Sequence, residues 1–119
     1  MSTILVVAYE HNTRVMLRRA LEGAGYFVIS QADSRNAMET LKEYPETSLI
    51  VLDWVSPSLS GQDFLKEKQQ NSHFASIPVI GILNPGMDGN AAPRFAATLV
   101  KPLKIELLLD KTNHFCQPS

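Results

Sequence analysis

Asp53 is the residue best placed to do chemistry in this chain. It closes the apolar run Leu49-Ile50-Val51-Leu52 and is followed by Pro57 and Gly61. A run of that length, rich in Val, Ile and Leu, reads as a parallel strand buried on both faces. Open α/β sheets take their ligands outside the carboxyl ends of the strands, where this carboxylate falls. The plain alternative is a strand-end residue capping the next loop. Other chemistries find little support. His11, His73 and His114 share no metal-ligand spacing and read as solvated surface positions. The stretch Ala8-Tyr9-Glu10-His11-Asn12 contains no glycine, so no phosphate-cradling loop follows the first apolar run. That argues against nucleotide-binding enzymes of similar layout. The single Cys116 cannot form an internal bridge and suits a reducing compartment.

The elements that must position Asp53 follow from the apolar pattern. Ile4-Leu5-Val6-Val7-Ala8 is a short buried strand. Asn12 or Thr13 can cap the helix after it, in which Val15, Met16, Leu17, Ala20, Leu21 and Ala24 recur with helical spacing. Gly23 and Gly25 supply the stop. Arg14 and Arg18 share a face of that helix at i,i+4 spacing, solvated or facing an acidic partner. Tyr26-Phe27-Val28-Ile29 is a second strand. Asp33 or Ser34 caps a second helix with Ala37, Met38 and Leu41 as its buried stripe, and Tyr44-Pro45 ends it. The Asp53 strand comes next, then a loop and a third helix from about Gln62 to Asn71 with Phe64 and Leu65 inward. Ile77 to Leu83 is a fourth strand, with Pro78 tolerated near its start. Leu99-Val100-Lys101, starting as early as Ala97, is a fifth. Ile105 to Asn113 is a final helix. Strands alternating with helices in this way imply βαβ units and a parallel sheet with right-handed crossovers.

One segment breaks the alternation. Asn84 to Pro93 holds Pro85, Gly86, Gly89, Asn90 and Pro93 beside Asp88. Each of these residues disfavours helix or prefers turns. Where a fourth of five helices is due, the sequence supplies at most one turn, around Ala91 to Ala97.

Five βα units with an acidic residue ending the third strand resemble the receiver domain of two-component response regulators. The resemblance runs from Ile4 to about Phe115. It is carried by Ile4-Leu5-Val6-Val7, Arg14, Gly25-Tyr26-Val28, Leu49 through Asp53 with Pro57 and Gly61, Pro78-Val79-Ile80 and Lys101-Pro102. It implies a flavodoxin-like, doubly wound α/β domain with five parallel strands in the order 2-1-3-4-5, here with the fourth helix shortened or missing. It also implies that Asp53 is the phosphoryl acceptor, that Lys101 pairs with its phosphate, and that the Lys101-Pro102 bond is cis. Receivers catalyse their own phosphorylation from a phosphohistidine donor. They hold Mg²⁺ with an acidic pair ending the first strand, and relay the switch through a Thr or Ser ending the fourth strand and an aromatic in the fifth.

Those last features are absent. The acidic pair maps to Ala8 and Tyr9, with Glu10 the nearest carboxylate. The hydroxyl position maps to Leu83, and the fifth-strand aromatic to Thr98. Mg²⁺ is usually held by one or two carboxylates with phosphate and water. Without it, the charge on a transferring phosphoryl group is poorly compensated beside Asp53. Leu83 cannot hydrogen-bond a phosphate. A hydrogen bond to a charged group contributes about 1.5–3 kcal/mol, a large share of the roughly 5.5 kcal/mol that a full two-state reversal requires. Tyr9 either fills the vacated metal cavity or points outward as a binding aromatic. Filling is favoured, because an empty polar pocket beside Asp53 would need water or a partner. Trp54 follows the buried strand and is a candidate for exposure at the rim, where with Tyr9 it would form a contact patch.

The chain is 119 residues long with a formal net charge of -1. One domain is expected over residues 1–119, burying roughly two-thirds of the surface its unfolded chain exposes and carrying no output domain. The charge gives no general pull toward nucleic acid or anionic membrane. No apolar stretch approaches a membrane span, and Met1-Ser2-Thr3 leads straight into a strand, so a cytoplasmic domain is expected. The main reading is a stand-alone, degenerate receiver (a pseudo-receiver) that works through protein partners, such as a histidine kinase or another signalling protein. It is expected to act without phosphorylation, to be no enzyme and to carry no cofactor, with Mg²⁺ binding weak or absent. The alternative is a working receiver, phosphorylated on Asp53 by a cognate histidine kinase that supplies missing groups in trans. A small-molecule-responsive or enzymatic domain using Tyr9, Asp53 and Trp54 is a distant third, since no nucleophile–base pair or cofactor motif supports it.

Overall fold

In a computed structural model of the chain, the apolar runs form the five-stranded parallel sheet on which everything else is hung. The structure describes residues 2–54, 59–87 and 95–116, without the side chains of 59 and 60. Pro57, which the resemblance includes, lies outside them. The elements are β1 (Thr3–Val7), α1 (His11–Gly23), β2 (Phe27–Gln31), α2 (Ser34–Glu43), β3 (Leu49–Trp54), α3 (Leu59–Gln70), β4 (Val79–Leu83), β5 (Ala97–Val100) and α4 (Ile105–Phe115). The strand order is β2-β1-β3-β4-β5, as expected, and every neighbouring pair is parallel.

Two apolar layers hold the sheet. Successive strand residues point to opposite faces, so Ile4 and Val6 join Val51, Ile80, Ile82 and Leu99 on one side. There Leu17 and Leu21 of α1 and Leu108 of α4 cover them. Leu5 and Val7 join Ile50, Leu52, Trp54, Val79 and Leu83 on the other, under Ala37, Met38 and Leu41 of α2 and Phe64 of α3. All of β1, β3 and β4 is buried, which explains why these strands read as continuous apolar runs.

Helix ends divide the expectations. Asp33 caps α2, its side chain accepting from the Asn36 amide at 2.8 Å. At α1 neither Asn12 nor Thr13 caps: the helix begins at His11 and Glu10 is the N-cap. The Thr13 hydroxyl instead donates to Glu10 Oε1 at 2.9 Å, and the Arg14 amide takes the Glu10 carbonyl. Gly25 supplies the stop with φ 99°, whereas Gly23 is simply the last helical residue. Tyr26 precedes β2 rather than opening it. Lys101 likewise follows β5 rather than ending it.

Between β4 and β5 no helix occurs among the described residues. Asn84-Pro85-Gly86-Met87 is a turn, the Met87 amide bonding the Asn84 carbonyl with Gly86 at φ 81°. Residues 88–94, which include most of the predicted loop and turn, lie outside the described residues, and Ala97 is already in β5. The sheet face there is covered by Phe95. A Cβ at Gly81 would stand 2.2 Å from its ring, and the ring meets Trp54 edge-on with centroids 5.9 Å apart. A glycine in mid-strand thus makes room for an aromatic plug.

Phe95→Ala is expected to lower unfolding stability by about 2–4 kcal/mol in urea melts. Gly81→Ala is expected to cost about 1–3 kcal/mol through overpacking, and much less when Phe95 is already Ala. Additive costs in that double-mutant cycle would show that the ring does not depend on the glycine.

Candidate functional site

The register of the sheet brings together residues far apart in sequence. Asp53, next to last in β3, pairs with Ile82 of β4, and its side chain is 1% exposed. The Lys101 amide bonds the Leu83 carbonyl at 2.9 Å, which ties the residue after β5 to the end of β4. The Lys101-Pro102 peptide is cis. From there Lys101 Nζ reaches both Asp53 oxygens at 3.1 Å. Only the approach to Oδ2 has hydrogen-bond alignment, and among the described residues Oδ1 has no hydrogen-bond partner. The site therefore holds a buried carboxylate neutralised from one side, with one oxygen available to something else.

Burial is the main influence on Asp53 and raises its pKa above the ordinary 3.8. Its hydrogen bond to Lys101 and the charge of that lysine pull the other way, while the negative charge of Glu10 adds to the rise. Desolvation wins because the carboxylate has lost nearly all contact with water and regains one aligned donor.

The β1–α1 loop is where the remaining site residues lie. Ala8 is 1% exposed, packed in the α1-side layer, with its amide on the Gln31 carbonyl at 3.0 Å. Arg14 donates to the Ala8 and Tyr9 carbonyls at 3.0 and 3.1 Å and lies 3.3 Å from His11 Nδ1. Tyr9 is 81% exposed. The expectation that it fills a vacated cavity is therefore corrected: the ring stands in solvent. Trp54 is corrected in the opposite sense. It is 2% exposed, packed between the sheet and α3 beside Phe95, so no Tyr9–Trp54 contact patch exists. Leu83 is buried in the α2–α3 layer and Thr98 is exposed on β5. Arg18 Nε lies 4.0 Å from Glu22 Oε1, and all three histidines are exposed. Among the described residues, no three His, Cys, Asp or Glu side chains cluster in a way that could hold a metal ion.

Two side chains carry more than the sequence reading gave them. Phe95 was passed over because it follows the irregular segment. Lys68 is 4% exposed at the inner face of α3, its Nζ donating to the Ala75 carbonyl at 3.1 Å. The spacing Gly61, Phe64, Leu65, Lys68 is an i, i+3, i+4, i+7 stripe, which would have placed that lysine inward.

The comparisons with known proteins agree with this geometry. No family model matches the chain. It is 32% identical over 116 residues to the response regulator receiver protein CpdR of Brucella abortus, covering 93% of both chains. It is 27% identical over 113 residues to the chemotaxis protein CheY1 of Helicobacter pylori, covering 91% of both. The solved structure of the chemotaxis response regulator CheY4 of Vibrio cholerae superposes with a TM-score of 0.84 at 24% identity, covering 98% of this chain and 99% of that one.

The raised Asp53 pKa has a definite sign for stability. The folded chain holds that proton more tightly than the unfolded chain, so stability falls as pH rises from the ordinary 3.8 through the raised value. Asp53→Asn is expected to melt later than the unaltered chain at pH 7, with the gain shrinking as pH falls through the raised value and lost below 3.8. Lys101→Met leaves the carboxylate buried without its cation and is expected to cost about 2–4 kcal/mol at pH 7, less in acid. Denaturant melts of the three proteins at both pH values check this, and a pH-independent difference would contradict it.

Proposed function

The chain belongs to the family of CheY-like response-regulator receiver domains, and we propose that it acts in two-component signalling as a degenerate receiver, through protein–protein contact without phosphorylation of Asp53. The observation that carries this reading is the donor set around Asp53. A hard dication seeks six oxygens in near-octahedral array. Here Ala8 brings a methyl group, Tyr9 stands in solvent and Glu10 is engaged by Thr13. Asp53 Oδ1 is the remaining buried carboxylate oxygen, and these residues fit Mg²⁺ poorly. When bound, the ion would neutralise charge on a transferring phosphoryl group. Lys101 alone offers one positive charge, already spent on Asp53.

The switch relay is weakened on the same grounds. The Leu83 side chain is apolar and buried in the α2–α3 layer, so no hydroxyl follows a phosphate at that position. Thr98 is a small exposed side chain that cannot carry an aromatic rotation between inside and outside. A domain so built holds one conformation and offers its surface to partners. A histidine kinase or another signalling protein is the partner class proposed. No helix among the described residues is long and apolar enough to cross a membrane.

One observation favours a second reading. Asp53 Oδ1 is buried without a hydrogen-bond partner, as a phosphoryl acceptor would be, and a kinase could bring the missing cationic groups in trans. The two readings separate in a single experiment. The protein is incubated with acetyl phosphate and Mg²⁺ and weighed intact, with Asp53→Asn in parallel. The contact reading predicts no phosphoryl adduct on the folded protein. An adduct that disappears in Asp53→Asn would overturn it and leave an ordinary phosphorelay.

A further inference from the structure

The cleft beside Lys68 lies apart from Asp53, toward the amino-terminal ends of β4 and β5. It has a volume of about 430 Å³ and is walled by Leu65 of α3, by Ile77, Pro78 and Val79, and by Phe95. Both Lys68 and Ala75 line it. An ammonium carries three donors. Among the described residues the only acceptor of this one is the Ala75 carbonyl, although the residue is buried. Buried cations are normally paired, because an isolated charge in an apolar setting is costly. Lys42 has Glu39 and Lys101 has Asp53, whereas no carboxylate among the described residues pairs with Lys68.

From this we infer that the cleft is a binding site for a carboxylate that carries an apolar body, the carboxylate meeting Lys68 Nζ and the apolar part lying along Leu65, Ile77 and Phe95. The volume is in the range of small-molecule sites, and the lining mixes apolar side chains with polar groups, among them Lys68, Gln69 and Ser76. Burial lowers the pKa of the Lys68 ammonium, and a bound anion would offset that cost. The inference does not rest on the state of Asp53. It does touch the same core, because Phe95 packs on both Gly81 and Trp54. Occupancy of the cleft is therefore visible at Trp54, the chain's single tryptophan.

The chemistry can be supplied by a free amphiphilic acid or by an acidic residue between apolar ones in a protein segment. The test titrates the protein with octanoate, with octanol at the same concentrations, and with a capped leucine–glutamate–leucine peptide. Trp54 emission and the backbone amide shifts of Lys68, Ala75 and Phe95 are followed. The expected result is saturable binding of octanoate or the peptide, with octanol weaker by about tenfold or more, as loss of a charge-assisted hydrogen bond implies. Lys68→Met should remove that preference. Gln69→Glu, an exposed position on the cleft rim, should weaken both acids without disturbing the interior. Tighter binding of octanoate points to a free acid, and tighter binding of the peptide to a protein segment. Absence of saturable shifts, or equal binding of octanoate and octanol, would overturn the inference.

Discussion

The contact between Lys101 Nζ and Asp53 is the constraint on which the carboxyl edge of the sheet depends. A carboxylate 1% exposed at the end of β3 is tolerable only with a cation beside it. The cation comes from the residue after β5, so β3, β4 and β5 must keep their parallel order and register for the two to meet. The Lys101 amide on the Leu83 carbonyl fixes that approach. The pair is also incomplete. One oxygen keeps no hydrogen-bond partner, and desolvation still outweighs the lysine in setting the Asp53 proton affinity.

Around this pair the chain keeps the fold of a receiver domain, with Ala8, Tyr9, Leu83 and Thr98 at the positions on which the proposed loss of switching rests. These positions lie on three strands: a methyl group and an outward ring after β1, an apolar side chain at the end of β4, and a small exposed hydroxyl within β5. None of these changes disturbs the core, since Ala8 and Leu83 are themselves buried in it. Under the proposed reading, fold and phosphoryl chemistry separate here, as function is carried by sites placed on folds. Phe95 against the bare backbone of Gly81 covers sheet surface where the alternation of strands and helices calls for a helix.

Much of this was legible because buried parallel strands announce themselves as continuous apolar runs. Leu49 to Leu52 and Ile4 to Val7 could hardly be read otherwise, and Asp53 stood out as the polar end of one of them. Strand order and the pairing of Lys101 with Asp53 came from resemblance, because β3 and Lys101 are joined only through long-range packing. Trp54 was misplaced although its position was readable: in β3 it alternates in phase with Ile50 and Leu52, on the face they bury. Tyr9 was not readable. Its direction is set by a loop whose carbonyls are held by Arg14, and no local propensity encodes that hold. The start of α1 was misread for a related reason, since Thr13 spends its hydroxyl on Glu10 instead of on a free helix amide. The residue type of Lys68 gives no hint of burial, since lysines are usually exposed, and its helical phase with Phe64 is the signal that does.

On the proposed reading, the donor set beside Asp53, not the fold, sets this chain apart from a receiver that binds Mg²⁺. The most direct measurement is a Mg²⁺ titration followed by backbone amide shifts at Glu10, Asp53 and Lys101, on this chain and on the double variant Ala8→Asp, Tyr9→Asp. The account predicts no saturable site in the unaltered chain and a saturable one in the variant, where two carboxylates rejoin the Asp53 oxygen. Saturable Mg²⁺ binding at Asp53 and Glu10 in the unaltered chain, with an affinity the variant does not improve, would contradict it.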